Sequence, residues 1–164
     1  MEAEPWMRGT HGDLDPVRRA VVHALELAEE DIGRWCGGLG DEAIFRRPAG
    51  LPPVAFHLRH AVRSLDRLLT YAEGRGLGER QLALLGLEMA DGTAAEVLLE
   101  FQKGIAAAKA RVRGFDPGTY AEVRGIGRKQ LPTTVAGLLI HCAEHTSRHV
   151  GQAVTTAKLV VSPF

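Results

Sequence analysis

The chain has few cysteines, no excess of charge of either sign and no long apolar run. Each of these absences excludes a class of protein. Its two cysteines, Cys36 and Cys142, stand far apart and in no CxxC or zinc-finger spacing, so we expect buried, reduced thiols rather than a disulfide framework. The 20 basic residues balance the 20 acidic ones, and no basic run is interleaved with aromatic residues. The electrostatic footprint of a nucleic-acid-binding protein is therefore missing.

Hydrophobic segments long enough for a membrane are missing as well. No stretch reaches the roughly 18 uninterrupted apolar residues that a membrane-spanning helix needs. Residues 1–14 are acidic and broken by Pro5, Gly9 and Gly12, so we expect a flexible tail there rather than a signal peptide. Residues 15–164 are expected to form one domain, which at this length can bury a sufficient core. We expect a soluble cytoplasmic protein that binds neither nucleic acid nor membrane.

What the sequence does contain is apolar residues at helical spacing along four long segments. Asp15 followed by Pro16 is typical of the first turn of a helix, and Thr93 with Glu96 forms a capping box. Glycines follow the first three segments, where helices commonly end. The predicted helices run from Asp15 to Gly37, from Val54 to Gly74, from Thr93 to Gly114, and from Thr133 or Thr134 to about Val161.

The segments between these helices are rich in proline and glycine. Residues 41–53 contain three prolines and a glycine that no helix interior tolerates together, so we expect a long crossing loop there. Residues 78–91 are compatible with a short extra helix, and strand-like alternation is confined to residues 120–123. Four long helices, each with one apolar face, bury that face by packing together. The sequence thus predicts an all-α four-helix bundle with long crossing loops.

Three histidines lie on one face of the last predicted helix, because His141, His145 and His149 follow one another at four-residue spacing. Apolar residues flank this stripe, so we expect it to point into the bundle. Two imidazoles one helical turn apart can bind the same ion. The alternative is a row of neutral core histidines, or of solvated surface histidines, that binds no metal. Three buried imidazoles are hard to satisfy by hydrogen bonds alone, yet the stripe by itself leaves both interpretations open.

The second predicted helix carries two more histidines, His57 and His60, on a face that also holds Ser64. A bundle can bring this helix against the last one, and three imidazoles would leave coordination positions open for water or substrate, as in catalytic sites. Nitrogen ligands without thiolates or clustered carboxylates suit zinc, nickel, iron, cobalt or copper. His11 and His23 receive no role. No Ser/His/Asp or Cys/His arrangement is present, so a nucleophile would come from outside the chain.

Two stretches of the sequence resemble the DinB/YfiT-like superfamily. In the last predicted helix, EHTSRHVGQ is similar to the family's pattern of two histidines with three residues between them, followed by glycine and glutamine. In the second predicted helix, FHLRHAVRSLDRLLTYAEG resembles the family's metal-binding helix. The resemblance implies a four-helix bundle that binds one divalent transition metal, zinc or nickel before iron, cobalt or copper, through His60, His145 and His149. It leaves three further residues as hydrogen-bonding neighbours of the ligands or as a fourth ligand: His57, His141 and Gln152.

The same superfamily includes thiol-dependent S-transferases and mycothiol-dependent maleylpyruvate isomerases. We therefore expect a metal-dependent enzyme of the thiol S-transferase or hydrolase type, with a low-molecular-weight thiol and a small electrophile as partners. The alternative is a non-catalytic, stress-related metal-binding module in which the ion holds two helices together. A fourth protein ligand would favour the module, and an open coordination position would favour the enzyme. A homodimer is also expected, because a small bundle leaves helix faces exposed.

A pH dependence follows from an all-histidine ligand set. Imidazole must be neutral to bind a metal ion, and its ordinary pKa is about 6.5. We therefore expect metal affinity to weaken below about pH 6.

Overall fold

The computed structural model of the protein describes residues 3–162. Within this range it contains six α-helices: α1 Pro16–Trp35, α2 Asp41–Phe45, α3 Val54–Ala72, α4 Glu79–Ala83, α5 Ala94–Arg113 and α6 Val135–Val161. The other regular elements are an antiparallel hairpin and three short 3-10 turns: β1 Val123–Ile126, β2 Leu131–Thr134, Pro5–Met7, Pro48–Gly50 and Pro117–Thr119. Four long helices, α1, α3, α5 and α6, pack together, which confirms the predicted all-α bundle.

Side-chain caps place the starts of three long helices where the sequence predicts them. The Asp15 carboxylate accepts hydrogen bonds from backbone N–H groups in the first turn of α1. Thr93 and Glu96 form a reciprocal capping box at α5, with distances of 3.2 Å and 2.9 Å. The Thr134 hydroxyl accepts from the N–H of Gly137 at 3.1 Å, which decides between the two predicted caps of α6. These bonds satisfy donors that a helix start otherwise leaves unpaired.

The directions of the helices follow from the residue pairs that connect them. Helices α3 and α6 are antiparallel, because His57 contacts His149 whereas His60, which comes later in α3, contacts His145, which comes earlier in α6. Helices α3 and α5 are parallel, since Arg63 in the middle of α3 pairs with Glu100 in the first half of α5, and Glu73 just after α3 pairs with Arg111 near the end of α5. Two parallel helices that follow one another in the chain need a connection that returns along their length.

Residues 73–93 make that return, running antiparallel to α3 along its outer side. Beside the second half of α3, Gln81 in α4 donates a hydrogen bond to the Asp66 carboxylate at 2.8 Å. Beside the first half of α3, the Arg59 guanidinium donates a hydrogen bond to the carbonyl of Ala90. Helix α4 bears out the short extra helix predicted for residues 78–91. The connection therefore crosses α3 at the level of the histidines near its start.

The core is continuous between the four long helices, and its largest members are less than 2% exposed, among them Leu25, Leu58, Phe101 and Leu139. Helices α3 and α5 approach most closely at Gly104, where an added Cβ would lie 2.5 Å from the Cβ of Val62. No side chain fits at that distance, so glycine is required for this helix contact. This close contact fixes how α3 and α5 are positioned along each other.

Two predicted loops contain regular structure that sequence reasoning missed. Residues 41–53 include α2, whose Ile44 side chain is fully buried and anchors the segment in the core. Residues 123–134 form the hairpin β1–β2, which overlaps the strand-like stretch predicted at 120–123 only at Val123. The hairpin is short, glycine-rich and mostly solvent-exposed, with Pro132 paired opposite Gly125. Its strands therefore lack the alternation of apolar and polar residues that predicts a half-buried strand.

The segment before α1, predicted as a flexible tail, lies against α1 where the structure describes it. The Arg8 guanidinium contacts the Glu30 carboxylate at 2.5 Å, and the ring of His11 lies 2.7 Å from Glu26. Leu14 is buried in the core. None of the helices within residues 3–162 combines the length and the apolar character that crossing a membrane requires.

Candidate metal centre

Three histidines from two helices converge on one point between α3 and α6. One nitrogen from each of His60, His145 and His149 lies within 4.8 Å of the others. The ring centroids are 4.5 Å apart for His60 and His149, 4.6 Å for His145 and His149, and 5.1 Å for His60 and His145. Within residues 3–162 this group contains no fourth histidine, cysteine, aspartate or glutamate. We refer to these three residues as the histidine cluster.

Helix geometry explains the convergence. His145 and His149 are one turn apart on α6, so their side chains lie one above the other on the same face. The antiparallel packing of α3 then places His60 beside both of them, and the Phe56 ring stacks on His60 at a centroid distance of 5.4 Å. All three ring planes are held by packing, while the His60 side chain remains 27% exposed. The cluster is thus shaped by the bundle and still reachable from solvent.

The environment of the cluster favours neutral imidazoles. Burial, together with the neighbouring His60, lowers the pKa of both His145 and His149 to about 4. Burial also lowers the pKa of His60, although the Glu88 carboxylate partly opposes this effect. Neutral imidazole is the form that donates a lone pair to a metal ion.

Hydrogen bonding inside the cluster is incomplete in a way that suits a metal. The Nδ1 atom of His149 lies 3.2 Å from Nδ1 of the buried His57, so one of the two rings donates to the other and the Nε2 atom of His149 is left for another partner. The Nδ1 atom of His145 is buried and makes no hydrogen bond within the described residues. An orphaned buried nitrogen is unusual in a folded protein and calls for an explanation. The residues present therefore fit a transition metal that prefers nitrogen ligands.

A buried carboxylate next to the cluster was missed by sequence reasoning. Glu88 is 8% exposed, and its Oε1 atom lies 3.7 Å from Nδ1 of His60. On the other side of the same ring, the Ser64 hydroxyl lies 3.5 Å from Nε2 and accepts a hydrogen bond from Arg67 at 2.9 Å. No local pattern around Glu88 marks it as part of a site. It reaches His60 only because residues 73–93 return along α3.

Two of the three remaining predicted residues have rings beside the cluster, with centroid distances of 5.5 Å from His57 to His149 and 5.5 Å from His141 to His145. His57 contacts His149 as described above. His141 turns toward Glu144, with Nδ1 3.2 Å from a carboxylate oxygen, and its side chain is 42% exposed. Gln152 is exposed and makes no hydrogen bond to any histidine among the described residues. Among these three residues, His57 is therefore the one with a ring nitrogen within hydrogen-bond distance of a cluster nitrogen.

The two cysteines contribute no nucleophile to this site. Cys36 and Cys142 are free, fully buried thiols, as predicted from their spacing. Burial raises the pKa of Cys36 to about 11 and that of Cys142 to about 12. Both thiols therefore stay protonated near neutral pH and cannot act as thiolate nucleophiles.

A four-helix bundle with clustered histidines between two helices defines a helical protein that could hold a metal ion. A family model described as the DinB superfamily matches residues 24–153, which span the long helices α3, α5 and the histidines of α6. The chain belongs to the DinB superfamily, as its sequence resemblance implied. The same comparisons found no match to this chain among curated proteins or solved structures.

Proposed function

We propose that this protein is a metal-dependent enzyme in which His60, His145 and His149 hold one divalent transition ion, zinc or nickel. The observation that carries the proposal is the convergence of three nitrogens without a fourth ligating side chain in the group, within residues 3–162. Three protein ligands leave at least one coordination position for water or substrate, as catalytic sites do. The lowered pKa of His145 and His149, each about 4, supports the same assignment because both rings are ready to bind near neutral pH.

A bound ion of this kind supplies Lewis-acid chemistry, which lowers the pKa of a coordinated thiol or water so that a nucleophile exists near pH 7. The residues of the chain itself would orient the ligating histidines. His57 fixes the ring of His149 through their Nδ1 contact, and Glu88 faces Nδ1 of His60. Hydrogen-bonding partners of this type fix the tautomer and direction of ligating histidines.

A groove that is lined by none of the three cluster histidines, but includes Arg67, supports a small-molecule substrate. It lies between α3, α5 and the returning residues 73–93 and has a volume of about 590 Å³, which is within the usual range for ligand sites. Its lining is largely apolar but includes three cations that form no ion pair within the described residues: Arg67, Arg80 and Lys103. Arg67 links the groove to the cluster through Ser64, which lies beside His60. Carboxylates of a low-molecular-weight thiol would find charge complementarity there, so we propose thiol S-transfer ahead of hydrolysis.

The second candidate function is a non-catalytic, stress-related metal-binding module. Glu88 favours it, because its buried carboxylate lies 3.7 Å from the His60 ring and would be the fourth ligand of such a site. Four protein ligands close a site and are typical of structural metals. The two functions differ in whether an exogenous thiol can reach the ion.

The test begins with metal analysis of protein purified without added metal and then reloaded with zinc or nickel. The reloaded protein is assayed with a panel of thiols against a chromogenic aryl halide, in which the thiolate forms a C–S bond and halide leaves, and with a chromogenic ester for hydrolysis. We expect thiol-dependent turnover that is lost with the metal and in His149→Ala. His141→Ala, on the same helix but directed at Glu144, is the matched control and should retain activity. Metal that is bound at the histidine cluster, and lost in His149→Ala, with no turnover of either substrate would favour the module.

A further inference from the structure

A second group of metal-binding side chains lies on the outer side of α1, away from the histidine cluster. It consists of His11 in the segment before α1, and His23 and Glu26 on α1, each offering one ligand atom within 4.8 Å of the others. His11 and His23 precede residues 24–153, the part of the chain that matches the DinB family model. Two of the three residues of this group therefore lie outside the part of the chain that the family match covers, and Glu26 lies inside it.

We propose that His11, His23 and Glu26 form a second binding site for a divalent transition ion, which ties the segment before α1 to that helix. Two imidazoles and one carboxylate are a ligand set that suits zinc. His23 and Glu26 are three residues apart on α1 and lie on the same face, so one ion can reach both. His23 is 7% exposed, which makes the site a pocket wall rather than a row of solvated side chains.

The segment before α1 is shaped to bring His11 to this position. His11 has a φ of 57°, in the left-handed region that residues with a Cβ rarely adopt. This turn directs the ring toward Glu26, with Nε2 2.7 Å from a carboxylate oxygen and the ring centroid 5.3 Å from that of His23. His23 borders an open surface depression of about 410 Å³ that is lined also by Trp6 and Thr10, so solvent can approach this residue.

The hydrogen bonds of His11 define what metal binding must displace. Arg113 can only donate, so its 2.6 Å contact makes Nδ1 of His11 an acceptor and leaves the ring proton on Nε2, where it is donated to Glu26. An ion bound at Nε2 replaces that proton, and the neutral ring then carries its proton on Nδ1, facing the guanidinium. Arg113 must therefore release His11, and the Asp13 carboxylate, 3.8 Å from the guanidinium, offers it another partner.

The hydrogen bond between His23 and Thr10 is displaced or kept, depending on which ring nitrogen of His23 binds the ion. Its Nε2 atom lies 3.1 Å from the Thr10 hydroxyl, which can either donate or accept. Because a hydroxyl adapts to both ring tautomers, Thr10 does not oppose an ion in the way that Arg113 does. Arg113 thus becomes the residue that tunes the affinity of the second site.

The experiment is a titration of metal-free full-length protein with Zn²⁺ alone, followed by calorimetry and by competition with a chelating dye. We expect two ions per chain in the parent protein, one in His145→Ala, one in His23→Ala and none in the double variant. His141→Ala, which leaves both groups intact, should still bind two. Arg113→Gln should bind the second ion at least about 10-fold more tightly, because it removes a like charge and replaces a group that can only donate with an amide whose oxygen can accept from the ring N–H.

The control for misfolding uses two milder variants, Glu26→Gln and His11→Asn, since asparagine tolerates a positive φ. Each should lose the second ion with an unchanged circular dichroism spectrum. A single bound ion that His145→Ala abolishes would overturn the second site and leave the proposed function intact. The second site would also be overturned if Arg113→Gln did not bind the second ion more tightly, or if His23→Ala still bound two ions. Conversely, one ion retained in His145→Ala and lost on adding His23→Ala supports the second site even if the first proves inactive.

Discussion

Acidification is a direct test of the environment of the histidine cluster. Burial, reinforced by neighbouring histidines, lowers the pKa of His145 and of His149 to about 4. A proton competes with a metal ion only when the pH falls toward the pKa of the metal-free ligand. A lowered pKa therefore moves the expected onset of competition below the pH of about 6 that an ordinary imidazole pKa predicts.

The size of the effect follows from the fraction of each imidazole that is protonated. With an ordinary pKa of about 6.5, each histidine at pH 5.5 would weaken metal affinity about 11-fold, and two would weaken it about 120-fold. With a pKa of about 4, the same two histidines weaken it by less than about 1.1-fold. Metal affinity contributed by His145 and His149 should therefore be nearly constant from pH 7.5 to 5.5 and decline only as the pH approaches 4.

Two measurements check this prediction. Chelator competition gives the zinc affinity at both pH values, and NMR titration of the imidazole carbon shifts in metal-free protein gives the pKa of each ring. His23→Ala serves as the background variant, so that the second site does not contribute. A loss of affinity near 100-fold at pH 5.5, with ring pKa values near 6.5, would refute the reasoning, because it would mean that water hydrates the cluster as freely as the unfolded chain.

The other predictions concern single substitutions and assembly. Gly104→Ala should destabilise the fold by about 1–2 kcal/mol in chemical denaturation, because the clash with α3 outweighs the gain in helix propensity, whereas Gly33→Ala, which meets nothing within 4 Å, should be neutral or stabilising. Glu88→Gln should weaken zinc binding by about 10-fold to 100-fold in calorimetry through loss of orientation at its histidine partner, and full affinity would remove Glu88 from the site. His149→Ala should lose the cluster ion in metal analysis, whereas His141→Ala should keep it. The reverse outcome would show that His141 and His145, rather than His145 and His149, are the ligands on α6. Light scattering should show a homodimer, since residues 82–89 expose four large apolar side chains, and a monomer at high concentration would rule that out.

Local chemistry explains which parts of the fold could be predicted. The caps at Asp15 and at Thr93 with Glu96 depend on contacts within one turn of helix, so the sequence alone contains the whole interaction. The hairpin at residues 123–134 and helix α2 were missed because neither has a strong periodic pattern of its own. They form because the ends of the long helices hold them in place.

The candidate site divides in the same way. Spacing alone placed His145 and His149 on one face of a helix, and family resemblance added His60, but the bundle brings the three nitrogens within 4.8 Å. Glu88 carries no local signal at all. It lies against His60 because α3 and α5 are parallel, so the connection between them has to return across the outer side of α3.

The sequence by itself thus determined the four long helices, their caps and the histidine pair on α6, all of which depend on residues within a few positions of one another. Tertiary structure alone decided the partners that come from distant segments. His11 and Glu26 meet because the segment before α1 turns back on that helix, and Arg113, at the end of α5, reaches the same ring. Contacts of this kind depend on how whole helices are directed and packed, a property that no local spacing encodes.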